Sequence, residues 1–213
     1  MIPGSDFGYR ICFEYFCINK NKKIISLDPT FGMLEVYSKL YNIKKIKIGY
    51  NKNFSPNLTK LLKSINSKIS LIVLANPNSP TGTILKFEKI IEIIKKAKKF
   101  NIPVLIDEAY FGFYQFSYIK LVNKFSNLLI LRTFSKSFGL AGLRIGYLVA
   151  NKNVIKEISK YKPMYEINSI ACKIANFLIK NPKISTEYIN KTNQGKKYLQ
   201  KELIKLKILI ILK

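Results

Sequence analysis

The sequence predicts a three-layer α/β/α fold built on a mostly parallel sheet. Apolar runs such as Ile69–Ala75 lack the alternation of a half-exposed strand, which indicates strands that are buried on both faces. Segments with apolar residues at helical spacing, such as 86–100, separate these runs. A repeated strand–helix–strand order favours parallel strands covered by helices on both faces.

Each predicted element follows from its own residues. The strands are short apolar runs, and they cover 23–27, 45–48, 69–75, 103–106, 127–131 and 144–150. The helices have one apolar stripe with lysines on the other side, and they cover 31–41, 57–65 and 86–100. A further helix is expected to open at Gly4, and the pattern from residue 153 onward is helical, with a long helix over 185–207.

Length and composition fit one such domain with the start of a second. The chain has 213 residues, of which 48% are hydrophobic, so a substantial core is expected. It has no apolar run of about 18 residues that would predict a membrane span, and its first residues do not resemble a secretory leader. Cys12, Cys17 and Cys172 have no disulfide-framework spacing, so we expect free thiols and a cytoplasmic protein.

The net charge of +25 raises the alternative of a nucleic-acid-binding protein. Lysines, however, are spread over many helices and do not form one stripe. Anionic substrates or cofactors fit this charge equally well, and we expect no nucleic-acid partner and no membrane partner. The sequence contains no histidine, which excludes Ser-His and Cys-His nucleophile systems and most zinc sites. No metal is therefore expected.

The most informative motif surrounds Lys136, directly after the apolar run 128–131. A lysine amine at the end of a buried strand can condense with an aldehyde. Thr133, Ser135 and Arg144 add hydroxyls and a planar guanidinium group, which can hold a phosphate. Pyridoxal 5'-phosphate carries both an aldehyde and a phosphate, so the motif predicts a site for this cofactor. The alternative is a surface lysine in a loop.

Further polar residues stand at strand ends and helix starts, where ligands bind in sheets of this class. Asp107 follows a predicted strand and can pair with a pyridine nitrogen, and Tyr110 can reach the ring hydroxyl. Ser5 and Asp6 open a helix, whose N-terminal N–H groups attract a phosphate. Phe31 can stack on the pyridine ring. The alternatives are a turn aspartate, a partly buried tyrosine, a helix cap and core packing.

In this order along the chain, the motifs resemble those of the fold-type-I pyridoxal-phosphate aminotransferases of the class I/II group. The branch they resemble most is that of the histidinol-phosphate aminotransferases. The resemblance runs from Gly4 to about Ala150 and continues more loosely through the helices that follow. It depends on the motifs Gly4-Ser5-Asp6, Asp28-Pro-Thr-Phe31-Gly-Met33 and Phe138-Gly-Leu-Ala-Gly-Leu-Arg144.

The resemblance implies a role for each matching residue. Lys136 is the Schiff-base lysine and proton carrier, Asp107 pairs with the pyridine nitrogen, and Tyr110 bonds the ring hydroxyl. Phe31 stacks on the ring. The implied phosphate cup consists of Ser5, Asp6, Thr133, Ser135 and Arg144.

One position departs from the family pattern. Family members usually have an asparagine directly before Pro-Thr-Gly, where it bonds the ring hydroxyl. This sequence has Ser79 at that place and Asn78 one step earlier, so either side chain is a candidate for the contact.

The resemblance implies amino transfer between an amino acid and a 2-oxo acid or keto-phosphate, with a histidinol-phosphate-like substrate and a homodimer in the full-length family. The alternative activities are decarboxylation of a phosphorylated amino acid and amination of a small phosphorylated ketone. The implied domains are residues 1–160, a cofactor-binding large domain, and residues 161–213, a helical remainder that leads into a small domain.

Family members also extend further at both ends, so the resemblance implies a chain truncated at both. The missing parts normally supply a tyrosine that reaches the neighbouring subunit's phosphate site and an arginine that binds the substrate. A catalytically incomplete fragment is therefore the remaining alternative. The apolar tail over 207–213 predicts a strand without a partner.

Overall fold

A computed structural model describes residues 1–18, 20 and 22–206. Six strands in this part of the chain form one sheet: β1 (Lys23–Leu27), β2 (Lys45–Ile48), β3 (Ile69–Ala75), β4 (Val104–Asp107), β5 (Leu128–Thr133) and β6 (Gly146–Ala150). Their order in the sheet is β2-β1-β3-β4-β5-β6. Strands β1 to β5 pair in parallel, and β6 alone pairs antiparallel, with β5. The predicted mostly parallel sheet is confirmed.

Helices cover both faces of this sheet. The described residues form α1 (Gly4–Phe16), α2 (Met33–Leu40), α3 (Leu58–Ser64), α4 (Phe87–Lys98), α5 (Lys152–Ile158), α6 (Ser169–Lys180) and α7 (Pro182–Lys205). Apolar residues of α1, α2 and α5 pack on one face, in the cluster that contains Leu71 and Leu105. Apolar residues of α3 and α4 pack on the other face, in the cluster that contains Ile72 and Ile106. The predicted three layers are confirmed.

Strand β3 lies at the centre of the sheet, and all seven of its residues are buried. Successive side chains of a strand point to opposite faces, so a strand covered on both sides reads as one continuous apolar run. This is why the prediction for Ile69–Ala75 agrees with the observed bounds.

The C-terminal helices relate differently to this core. Ala171 and Ala175 of α6 pack on Phe134 and Ile145 at the edge of the sheet. The long helix predicted over 185–207 begins three residues earlier, at Pro182, because proline is well suited to the first helical turn. None of its residues through Lys205 is buried. The strand predicted over 207–213 lies outside the described residues.

The first residues of the chain are joined to the last strand. Ile2 and Gly146 exchange two backbone hydrogen bonds of 2.9 Å each. A Cβ atom on Gly146 would lie 2.8 Å from the Arg132 carbonyl oxygen and 2.9 Å from the backbone of Gly4, so only glycine fits. This close approach places the N-terminus of α1 beside the ends of β5 and β6. Within the described residues, no helix has both the length and the apolar character needed to cross a membrane.

Candidate active site

A cavity of about 310 Å³ opens at the carboxyl ends of β3, β4 and β5, against the N-terminus of α1. Ligands of open α/β sheets bind at this edge. All but one of the site residues predicted from the sequence line this cavity. They are Ser5, Asp6, Phe31, Ser79, Asp107, Tyr110, Thr133, Ser135, Lys136 and Arg144.

Asp107 is the last residue of β4 and is buried. One of its carboxylate oxygens accepts a hydrogen bond of 2.8 Å from the Ala109 backbone N–H. The other accepts a hydrogen bond from the hydroxyl of Tyr9, a residue of α1 that is fully buried. Burial raises the pKa of Asp107 to about 6, although both hydrogen bonds act in the opposite direction. A cation beside this carboxyl group would relieve the unfavourable burial of its charge.

Anion-binding groups also line the cavity. The first turn of α1 contributes Ser5 and Asp6, whose free backbone N–H groups lie at the positive end of the helix dipole. The prediction that Arg144 lies in the last strand is wrong. Arg144 precedes β6 and adopts a left-handed conformation with φ of 50°. Its Nη2 atom donates to Asp6 Oδ2 at 3.1 Å. The Asp6 carboxylate therefore orients the guanidinium group.

Gly4 makes this arrangement possible. Its φ of +77° is unfavourable for residues with a side chain, and a Cβ atom there would lie 2.5 Å from Arg144 Nη2. The Ser135 backbone N–H donates to Thr133 Oγ1 at 3.1 Å, and the two hydroxyl groups are 2.9 Å apart. Serine, threonine and arginine groups thus line the same cavity.

Lys136 lies three residues after the last residue of β5. Its Nζ atom is 5.5 Å from the centre of the Tyr110 ring. None of the ion pairs found among the described residues includes Lys136. The amine is exposed and lines the cavity, so it is accessible to a small electrophile.

Asn78 and Ser79 have different environments. Asn78 is buried. Its side-chain oxygen accepts a hydrogen bond of 2.6 Å from the Thr30 hydroxyl, and its amide nitrogen donates one of 3.0 Å to the Pro29 carbonyl. Its amide also lies 2.8 Å from the Tyr50 hydroxyl. Asn78 therefore holds the loops together, whereas Ser79 lines the cavity.

The sequence interpretation missed three residues that shape the site. Tyr9 contacts Asp107 as described above, and Glu108 forms a buried ion pair of 2.9 Å with Arg132 on β5. The Arg132 guanidinium group also lies over the Phe111 ring, 3.5 Å from its centre. The pair ties the loop that begins directly after Asp107 to the neighbouring strand. A buried arginine within an apolar strand was the available signal, because such a charge needs a partner.

These residues fit pyridoxal phosphate. The cavity volume lies at the lower end of the range of roughly 300–1,000 Å³ for small-molecule sites. The buried Asp107 carboxyl group suits a protonated ring nitrogen, and Arg144, paired with Asp6, suits a phosphate. Within the described ranges, no group of three or more His, Cys, Asp or Glu side chains is placed to hold a metal ion.

The fold and this site define a class of pyridoxal-phosphate protein, and comparison with known proteins identifies the family. A family model described as aminotransferase class I and II matches residues 1–209. The chain therefore belongs to the class I and II aminotransferase family. Pyridoxal phosphate is the cofactor that this membership implies.

Within this family, the chain is similar to histidinol-phosphate aminotransferases. It is 37% identical to that of Clostridium novyi (strain NT) over 204 residues, which are 95% of this chain and 56% of the relative. It is 40% identical to that of Thermoanaerobacter sp. (strain X514) over 204 residues, which are 95% of this chain and 57% of the relative. The chain thus spans little more than half the length of these curated relatives.

A solved structure shares the fold. The histidinol-phosphate aminotransferase from Clostridium acetobutylicum superimposes with a TM-score of 0.86 at 23% identity, covering 96% of this chain and 60% of that one. At this identity the likeness concerns the fold alone, and it agrees with the predicted architecture.

Proposed function

We propose that this chain is the cofactor-binding part of a pyridoxal-phosphate-dependent aminotransferase. The substrate we propose is a phosphorylated amino compound of the histidinol-phosphate type, with a 2-oxo acid as the second substrate. The observation that carries the proposal is one cavity that brings together an accessible lysine, a buried carboxyl group and an arginine paired with an aspartate. The similarity to histidinol-phosphate aminotransferases supports the choice of substrate.

The cavity residues divide into those that would hold the phosphate and those that would hold the ring. The phosphate would be bound by the α1 N-terminus, by the hydroxyl groups of Thr133 and Ser135 and by Arg144. Asp6 orients the Arg144 guanidinium group. Asp107 would pair with the ring nitrogen, Tyr110 and Ser79 would contact the ring hydroxyl, and Phe31 would cover one face. We propose Ser79 for the contact because the Asn78 side chain is already engaged by Thr30, Pro29 and Tyr50.

Two residues would act directly in the chemistry. The bound cofactor supplies an aldehyde that reacts with amines and a ring that withdraws electrons from the substrate α-carbon. Lys136 would attach the cofactor through its Nζ atom. When free, its amine would accept the proton from the substrate α-carbon and then donate it to a different atom. Asp107, held ionised by a cation at the ring nitrogen, would keep that nitrogen protonated.

The proposal extends to organisation and setting. We propose that residues 1–160 form the cofactor-binding domain and that residue 161 onward leads into a second domain, since α7 buries none of its residues. We also propose that the full-length protein is a homodimer and works in the cytoplasm. Among the described residues Cys12, Cys17 and Cys172 are free, and this is consistent with a reducing compartment.

Covalent trapping tests the proposal. The purified chain is incubated with pyridoxal phosphate, reduced with borohydride and digested, and the modified lysine is identified by mass spectrometry. We expect one tag, on Lys136, and its loss in Lys136→Ala. The matched control is Lys98→Ala on the exposed side of α4, which should leave the tag unchanged.

Labelling spread over many lysines would overturn the proposed site. A tag on Lys136 without amino transfer from histidinol phosphate to 2-oxoglutarate would support the cofactor site and reject the activity. That second outcome is the one expected for a catalytically incomplete fragment.

A further inference from the structure

Tyr9 touches two of the groups that would hold the cofactor ring. It lies on α1, is fully buried and is separated from Asp107 by 98 residues. Its hydroxyl donates to Asp107 Oδ2. Its ring lies 5.8 Å from the Phe31 ring, centre to centre, at an interplanar angle of 35°. Neither contact follows from the motifs around Lys136.

In the hydrogen bond between Tyr9 and Asp107, Tyr9 is the donor near neutral pH. Burial, followed by the charge of Asp107, raises the pKa of Tyr9 well above its usual value. The phenol therefore stays protonated, and it can only donate to the carboxylate. The other titratable groups that act on this pair are Asp6, Glu108 and Cys12, and none of them is a cation. The neutral Tyr9 hydroxyl thus donates to the Asp107 carboxylate, and no cation acts on that carboxylate among the described residues.

We propose that Tyr9 is a positioning residue for the cofactor ring, acting through Asp107 and Phe31; this rests on the proposed function. The Tyr9 hydroxyl and the Ala109 N–H hold one carboxylate oxygen each, which fixes the plane of the carboxyl group. A hydrogen bond to the charged form favours that form, and this is the form that pairs with a protonated ring nitrogen. The Tyr9 ring also supports Phe31 from the side of the core.

The substitution Tyr9→Phe separates these two roles, because it removes the hydroxyl and keeps the ring. The pKa of Asp107 should then rise further, and more of the carboxyl group should be protonated near neutral pH. We expect affinity for pyridoxal phosphate to fall roughly tenfold, as is typical when a hydrogen bond to a charged group is lost. We also expect the pH dependence of the bound cofactor's visible absorption to shift.

The matched control is Tyr37→Phe. Tyr37 packs at the edge of the same apolar cluster, 6.1 Å from the Phe13 ring, and its hydroxyl makes no side-chain hydrogen bond within the described part of the chain. This variant should bind pyridoxal phosphate with unchanged affinity and an unchanged pH profile. Circular dichroism of both variants measures folding separately.

A double variant tests the route of the effect. If Tyr9 acts through Asp107, adding Tyr9→Phe to Asp107→Asn should weaken cofactor binding by less than twofold. A full tenfold loss in that background, or an unchanged affinity and pH profile in Tyr9→Phe alone, would overturn the inference. Tyr9→Phe keeps the ring that packs in the core, so the variant is expected to fold.

The same experiments keep the two proposals apart. Borohydride should still tag Lys136 in Tyr9→Phe at saturating pyridoxal phosphate, because the amine is unaltered. Absence of the tag in the wild-type chain rejects the proposed function, whereas a tag with equal affinities rejects only the role of Tyr9.

Discussion

Helices α1 and α7 are held to the rest of the molecule in different ways. Six of the 13 residues of α1 are buried, and its N-terminus is joined to the sheet through Ile2 and Gly146. Helix α7 has 24 residues, none of them buried, and its Tyr198 and Leu199 are more than half exposed. The cofactor side of the site therefore depends on helices packed on the sheet, and α7 contributes little to that support.

The contacts of α7 explain this difference. The Tyr188 ring would lie 3.3 Å from a Cβ atom on Gly139, and Ile189 Cδ1 would lie 3.4 Å from one on Gly112. Both glycines belong to loops that follow strands, so α7 covers loop surfaces instead of the sheet. Several apolar residues of α7 are left exposed by the described part of the chain.

Hydrogen exchange should show the largest contrast between the two regions. Amides of β3 are buried in the centre of the sheet and should exchange only through global unfolding, whereas amides of α7 should exchange through local opening. We expect protection factors in β3 to exceed those in α7 by at least roughly a hundredfold, measured by mass spectrometry. Equal protection in both would mean that α7 is part of the cooperative core.

Two helical glycines provide a second contrast. A Cβ atom on Gly8 in α1 would lie 2.3 Å from Leu131 Cδ1 and 2.9 Å from Ile2 Cδ1, while nothing lies within 4 Å of one on Gly195 in α7. Gly8→Val should lower the free energy of unfolding by roughly 2–4 kcal/mol, because it overpacks the α1–β5 contact. The matched variant Gly195→Val should change it by less than about 0.5 kcal/mol.

Urea denaturation of both variants measures these differences. A small effect of Gly8→Val would show that α1 can move away from β5 easily, and the contrast between α1 and α7 would then be weaker than the packing indicates.

Asp107→Asn should have a smaller effect, which depends on pH. Burial raises the pKa of Asp107 from 3.8 to about 6, so the folded state binds more protons than the unfolded state between these values. Stability contributed by this group is therefore lost as the pH rises through that window. Without cofactor, Asp107→Asn should be more stable than the wild type at pH 7, by on the order of 1–3 kcal/mol.

The advantage of Asp107→Asn should disappear below about pH 4, where the wild-type carboxyl group is protonated in both states. Thermal unfolding of the cofactor-free proteins across this pH range is the measurement. A wild type more stable than the variant at pH 7 would contradict the raised pKa.

Local patterns predict the elements better than they predict their contacts. The bounds of β3 follow from an apolar run that needs no knowledge of its neighbours. The motif around Lys136 identifies the cavity because the carboxyl ends of parallel strands meet at one edge. The sequence does not show that Tyr9 contacts Asp107. A tyrosine on the apolar side of a helix is interpreted as a core residue, because the strand that it contacts is distant in sequence.

The same limit applies to Asn78 and Ser79. They are adjacent in sequence, yet one is buried among loop groups and the other faces the cavity. Asn78 is held away from the cavity by Thr30, which follows β1, and by Tyr50, which follows β2, whereas Asn78 and Ser79 themselves follow β3. Adjacent polar residues in a turn cannot be assigned separately without that tertiary context.

The pairing of Ile2 with Gly146 has a consequence for protein synthesis. The segment around Ile2 can reach its final place only after the strand near residue 146 has been synthesised. Until then, the N-terminus of α1 is not anchored to the sheet, and the pocket for the vitamin is incomplete. Coenzyme capture should therefore be a late event in the maturation of this polypeptide.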